Sequence, residues 1–102
     1  MYKLFNNGVY SVCISEYLDM YSIVCKHEDY KINIFLFKDM QHFNIKCFYK
    51  KELIHYKKMH VFKNNLDTSK KIINYIMAHL YINDVNIQLM IINSLNIFFN
   101  NF

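Results

Sequence analysis

Arginine, tryptophan and proline are absent from the 102 residues, and glycine occurs once, at Gly8. Without arginine there is no bidentate guanidinium fork, so base-edge readout through that fork is excluded. All twelve basic side chains are lysine, a point charge that binds phosphate. Backbone and shape recognition are what such a chain can offer a polyanion. Cysteine is scarce: Cys13, Cys25 and Cys47 are an odd number at wide spacing, with no CxxC pair. Neither a zinc ribbon nor a redox dithiol is indicated, and buried free thiols in a reducing compartment are expected. No apolar run approaches the ~18 residues that span a bilayer, and no apolar leader opens the chain, so no membrane partner and no secretory signal are expected.

Asn, Ile, Lys, Tyr and Phe are abundant instead, the residues of AT-rich codons. The apolar fraction of 54% is too high for a disordered chain, and one domain over residues 1–102 with a modest core is expected. A formal net charge of +4 permits a nucleic-acid or anionic partner without requiring one.

Turn signals punctuate the chain about every ten residues. Tyr2 to Phe5 ends at Asn6-Asn7-Gly8; Val9 to Ile14 and Tyr21 to Cys25 are β-rich runs joined by 15–19. Lys26-His27-Glu28-Asp29 reads as a charged loop. Ile32, Ile34 and Leu36 alternate with Asn33, Phe35 and Phe37, a strand with one strongly apolar face. Lys38 to Gln41 turns the chain, and Phe43, Ile45 and Cys47 mark the return strand. Beyond a polar loop at 63–71, Leu66-Asp67-Thr68-Ser69 has the residues of a helix cap. Ile72 to Leu80 fits a helix or a β-branched strand. Val85, Ile87, Leu89 and Ile91 recur at strand period. A small all-β barrel is the expected architecture.

The densest chemistry is YKKELIHYKKMHVFKNN at 49–65: five lysines, two histidines and one acid, interleaved with Tyr49, Tyr56 and Phe62. Lysines neutralise phosphates and aromatic rings stack on bases, so the stretch suits a polyphosphate partner. The alternative is the solvated basic face of an ordinary strand. In a flat strand Lys51 and Lys57 share one face and Lys50 and Lys58 the other, so either a bend or loop lies within 50–58 or only some of the four make contact. Histidine and carboxylate groupings (His27, Glu28, Asp29; His42, His55, His60) match no ligand spacing, and there is no Gly-rich loop or nucleophile elbow. No enzymatic activity, metal, cofactor or small-molecule substrate is expected.

Tyr49-x-Lys51-x-Leu53, Lys58-Met59-His60-Val61 and Asn64-Asn65 resemble the signature segment of the bacterial-type ribosomal protein seventeen of the small subunit. Ile14 to Asp19 with Ser22-Ile23-Val24 resembles that family's first hairpin, with one extra residue. Ile72 to Tyr75 and Val85 to Ile92 fall where its last two strands lie. The chain departs from the family in about a dozen extra residues between Cys25 and Cys47, in Cys47-Phe48 for His-Pro, in Phe62-Lys63 for a second His and Asp, in Lys70-Lys71 for Gly-Asp, and in 79–82 for the Arg-Pro-Leu-Ser turn.

The resemblance implies a five-stranded OB-fold barrel with an extended hairpin in the 26–46 region, and strands rather than helices at 72–92. Helix content above about a quarter would speak against that barrel. It implies a non-catalytic, structural rRNA-binding protein, with small-subunit rRNA and neighbouring ribosomal proteins as partners. The AT bias would place the ribosome in a plastid such as an apicoplast, with a mitochondrion or an AT-rich bacterium as alternatives. The implied RNA-binding residues are Ser15 and Tyr17 in the first hairpin, Lys50, Lys51, Lys57, Lys58, His60, Lys63, Asn64 and Asn65 in the basic stretch, and Lys70, Lys71 and His79 beyond it. His60 is equally readable as a packing histidine, and the asparagines as turn formers. The rival is a viral or phage interaction protein with C-terminal helices that binds a protein partner, which a helical 68–82 would favour.

Overall fold

A computed structural model describes residues 2–6, 8–39, 41–60 and 68–102. Six strands, β1 (Tyr2–Asn6), β2 (Ser11–Glu16), β3 (Met20–His27), β4 (Tyr30–Phe37), β5 (His42–Tyr49) and β6 (Glu52–His60), precede two helices, α1 (Ser69–Leu80) and α2 (Val85–Asn101). The strands form an antiparallel meander in the order β1-β2-β3-β4-β5-β6, so β1 and β6 are its two edges. The fold is mostly β, with forty-four of the described residues in strands and twenty-nine in helices.

Strict alternation builds the sheet. Val12, Ile14, Ile23, Cys25, Ile32, Ile34, Leu36, Phe43, Ile45 and Cys47 all point to one face and are buried to within 1% of full burial. Registers such as Ile14↔Ile23, Ile23↔Ile34 and Ile34↔Ile45 stack them in rows across the sheet. A one-residue slip would turn a whole row to water, so the register is strongly specified. Each such side chain contributes about 1.5–3 kcal/mol on full burial.

Three barrel expectations are corrected. There are six strands in place of five, and the described sheet is open. The 26–46 region is no appended hairpin: β4 lies inside it and pairs on both sides, to β3 and to β5. Residues 72–92 are largely helical in place of two strands, and the helical share exceeds a quarter.

The physical reason is the inner face. An open sheet with ten buried apolar side chains needs a second layer. Ile72, Ile73, Ile76 and Leu80 are buried on α1, and Ile87, Met90, Ile91, Leu95 and Phe98 on α2. Those spacings of three and four place each set on one helical stripe. Thr68 caps α1, its Oγ1 accepting from Lys71 N at 3.3 Å. Asp84 caps α2, its Oδ1 accepting from Asn86 N at 2.9 Å and Ile87 N at 3.4 Å. Tyr30 Oη donates to Asp84 Oδ2 at 3.1 Å, pinning the start of α2 to β4. At the other end Tyr21 packs edge-on to Phe98, with ring centroids 4.9 Å apart.

Candidate nucleic-acid interface

Both helices cover one face of the sheet. Strand alternation sends the remaining side chains to the opposite face, on which no described residue forms a second layer. Ser11, Cys13 and Ser15 stand there on β2, and Ser22, Val24 and Lys26 on β3. Lys31, Asn33, Phe35 and Phe37 follow on β4, and Asn44, Lys46 and Phe48 on β5. Tyr56, Lys58 and His60 complete it on β6. No strand residue on this face is a carboxylate.

The charges are placed at specific crossings. Lys26 stands directly across from Lys31, a like-charge pair that weakens the sheet. Lys31 Nζ lies 5.7 Å from the Phe48 ring centroid, and Lys46 Nζ lies 5.5 Å from that of Tyr56. Over β1 to β4 the face is hollowed. A cavity of about 560 Å³ is lined by Leu4, Cys13, Val24, Asn33 and Phe35 among others. Among the described residues, Asn33 Oδ1, buried in this face, has no hydrogen-bond partner.

The two hairpin turns at one end extend the surface. Lys50 (φ 49°) and Lys51 (φ 68°) form the two-residue β5–β6 turn, both in the left-handed region that ordinarily selects Asn-Gly. Glu28 (φ 53°) sits in the β3–β4 turn. At the opposite end His42 pairs with Asp39, Nδ1 to Oδ2 at 2.6 Å, and its ring meets that of His60 at 4.6 Å. The Gln41 backbone N–H, then the His42 ring and backbone N–H, hold the Asp39 carboxyl below its ordinary range. Lys38 Nζ donates to Glu16 Oε2 at 2.8 Å and lowers that carboxyl likewise.

The residues expected to touch RNA divide. Ser15, Lys58 and His60 lie on the open face, and Tyr17 lines its hollow. Lys50 and Lys51 occupy the turn beside it. The turn and a register shift that skips Ile54 break the strand parity between Lys50–Lys51 and Lys57–Lys58, yet Lys57 and Lys58 still point to opposite faces, so only some of the four share this side. Lys57 is on the other face, its Nζ 5.9 Å from the Tyr81 ring centroid. Lys70 and Lys71 belong to the first turn of α1. His79 is near the end of α1, its Nδ1 2.8 Å from the Tyr75 carbonyl and its ring stacked on that of Tyr75. These four share no surface with the open face. Lys63, Asn64 and Asn65 lie outside the described residues.

Lys26, Lys31, Asn33, Phe35, Lys46 and Phe48 were not singled out from sequence as contact residues. Their signal is the polar parity of the alternating runs 31–37 and 43–48. Compared with protein-family models, with curated proteins and with solved structures, the chain matches none.

Proposed function

We propose that the chain is a structural RNA-binding protein whose contact surface is the uncovered face of its sheet. One observation carries this reading. Lys26, Lys31, Lys46 and Lys58 share that face with Phe35, Phe48 and Tyr56, and no strand carboxylate stands among them. Lysines there would neutralise phosphates and release counterions, and the rings would stack on exposed bases. Asn33 would offer its carbonyl oxygen to a base amine or a 2′-hydroxyl. The absence of arginine fits recognition of backbone and shape rather than of base edges.

Small-subunit rRNA, with neighbouring ribosomal proteins around it, is the specific partner this reading takes from the resemblance at 49–65. An OB barrel and an open meander meet the same need there. Both present alternate residues of antiparallel strands on one face. An organellar ribosome is the corresponding location.

A second reading has its own observation. The helices at 69–80 and 85–101 are the feature expected of a protein-interaction module, and Tyr81 (78% exposed) and Val85 (63% exposed) are large apolar side chains facing water between them. Crosslinking in cell extract followed by sequencing of the bound RNA decides. Small-subunit rRNA crosslinked to β4–β6 supports the first reading. Crosslinks to protein alone, at Tyr81 and Val85, support the second and remove the first.

A further inference from the structure

The open face ends in a cleft of about 580 Å³ between the β3–β4 and β5–β6 turns. Lys26 and Lys31 line it from β3 and β4, Lys50 and Lys51 from the turn, and Phe48 from β5. We propose that this cleft is a nucleotide-anchoring subsite, in which a phosphate seats among the four lysines and its attached base stacks on Phe48. The proposal rests on the RNA reading in treating the cleft as the end of a strand-binding face.

Three features of the site converge. First, the lysines are available. Glu28 and Asp29 also line the cleft, so four ammonium groups face two carboxylates. Among the described residues, none of the four lysines has a carboxylate within 4.0 Å, while Glu28 is turned to His27 at 3.9 Å with its side chain 77% exposed. Second, the arrangement is costly without a ligand. Lys26 and Lys31 repel each other across the ladder, and Lys50 and Lys51 hold left-handed conformations that disfavour any side chain with a Cβ. Such outliers, found together, mark places where something other than stability set the residues. A phosphate between the lysines would convert the repulsion into shared attraction. Third, the size and lining fit. The volume lies in the range of small-molecule sites, and the Phe48 ring already carries a cation, Lys31 Nζ, on its face. A stacked base would take that position as the ammonium moves to the phosphate.

The phosphate has two possible sources, the 5′ end of a strand and an internal backbone position. Both present the same chemistry to the cleft, and strand ends separate them.

The test is a titration of the full chain followed by NMR, with adenosine 5′-monophosphate as probe and adenosine as control. Expected are saturable shifts of the Phe48 ring and of the 49–51 amides, with adenosine weaker by about tenfold or more, as loss of charge-assisted hydrogen bonds implies. K31Q should lower affinity for the mononucleotide by about tenfold. It should leave the melting temperature close to the parent's, because relief of the like-charge pair offsets loss of the Lys31 contact with the Phe48 ring. A retained melting temperature separates lost binding from lost folding, and F48L, which keeps an apolar side chain, is the second variant. Equal response to adenosine, or shifts confined to Lys70 and Lys71, would overturn the assignment. Oligouridylates with 5′-phosphate and 5′-hydroxyl ends then identify the source. Preference for the phosphorylated end, with Phe48 shifts, supports a terminal nucleotide; equal affinity with those shifts supports an internal one. If oligouridylate moves Phe35 and Tyr56 while the mononucleotide leaves Phe48 unmoved, the subsite falls and the RNA reading stands. The reverse pattern removes the RNA reading and leaves a nucleotide site.

Discussion

The backbone N–H of Lys50 donates to the carbonyl oxygen of Asp29 at 3.0 Å, tying the β5–β6 turn to the β3–β4 turn. Two neighbouring hairpin ends, each holding a left-handed residue, thereby become one rigid rim. Backbone fixes the turn that carries the rim lysines, and the Lys50 Nζ lies 5.5 Å from the Tyr49 ring centroid.

Lys51 therefore trades stability for charge. Lys51→Gly should relieve its left-handed conformation and stabilise the fold by about 1 kcal/mol. In a domain of this size that is a rise in Tm of about 4–8 °C. RNA affinity should fall in the same variant. Thermal unfolding beside a binding titration checks both, and a lowered Tm would show that the Lys51 side chain supports the fold.

RNA affinity should fall steeply with salt, with a log–log slope of about 0.7–0.9 for each phosphate neutralised. K31Q with K46Q should flatten that slope by about the equivalent of two phosphates. Lys57 faces the helix layer, so K57Q should leave the slope unchanged while K58Q reduces it. Salt titrations of these three variants distinguish the faces; equal effects of K57Q and K58Q would be incompatible with a single contact face.

How much of this surface was legible in the sequence depends on how local its cause is. β4 and β5 were readable because Ile32, Ile34, Leu36 and Phe43, Ile45, Cys47 alternate without interruption. Lys50, Lys51 and Lys58 stood out because they are clustered in sequence. Lys26, Lys31 and Lys46 did not, because only strand pairing brings them together. α2 was misread for a related reason. Val85, Ile87, Leu89 and Ile91 satisfy strand period, yet Ile87, Met90, Ile91, Leu95 and Phe98 satisfy helical spacing equally. What breaks the tie is the uncovered inner face of the meander, which only the assembled sheet supplies.

The three thiols should separate by reactivity. Burial, then the Asp84 charge, pushes the Cys47 thiol up to about 12, and burial also raises Cys25. Cys13 is only partly buried and lines the open-face hollow. In the native protein a thiolate-selective reagent should therefore modify Cys13 well ahead of the other two. Bound oligouridylate should protect it. Rapid labelling of Cys47 would contradict the packing of the helix layer, and unchanged Cys13 labelling with RNA bound would remove the hollow from the interface.

Acid should loosen the turns before the core. Glu16 and Asp39 both ionise more readily in the folded chain than their ordinary values of 4.5 and 3.8. Their contribution is complete above those values and is lost as pH falls through the lower folded ones. Asp39 is exposed and Glu16 only partly buried, so the decline should be shallow. Glu16→Gln should flatten it in a melting series from neutral pH downward; a decline of the same slope in that variant would assign the acid sensitivity to other carboxylates.

Asp84 offers the sharpest check on the helical end of the chain. Its Oδ1 caps α2 through Asn86 and Ile87, and its Oδ2 accepts from Tyr30 Oη. Partial burial, then this carboxylate, raises the Tyr30 phenol above its ordinary range. Asp84→Ala should cost about 1–2 kcal/mol through the lost cap and should lower the helical circular-dichroism signal, while returning Tyr30 toward ordinary titration. Asp84→Asn keeps the capping oxygen and removes the charge. It should retain most of the stability while still shifting Tyr30 downward. If residues 85–92 were the last strand of a barrel, Asp84→Ala would leave helicity unchanged, since no helical first turn would stand there for Asp84 to cap.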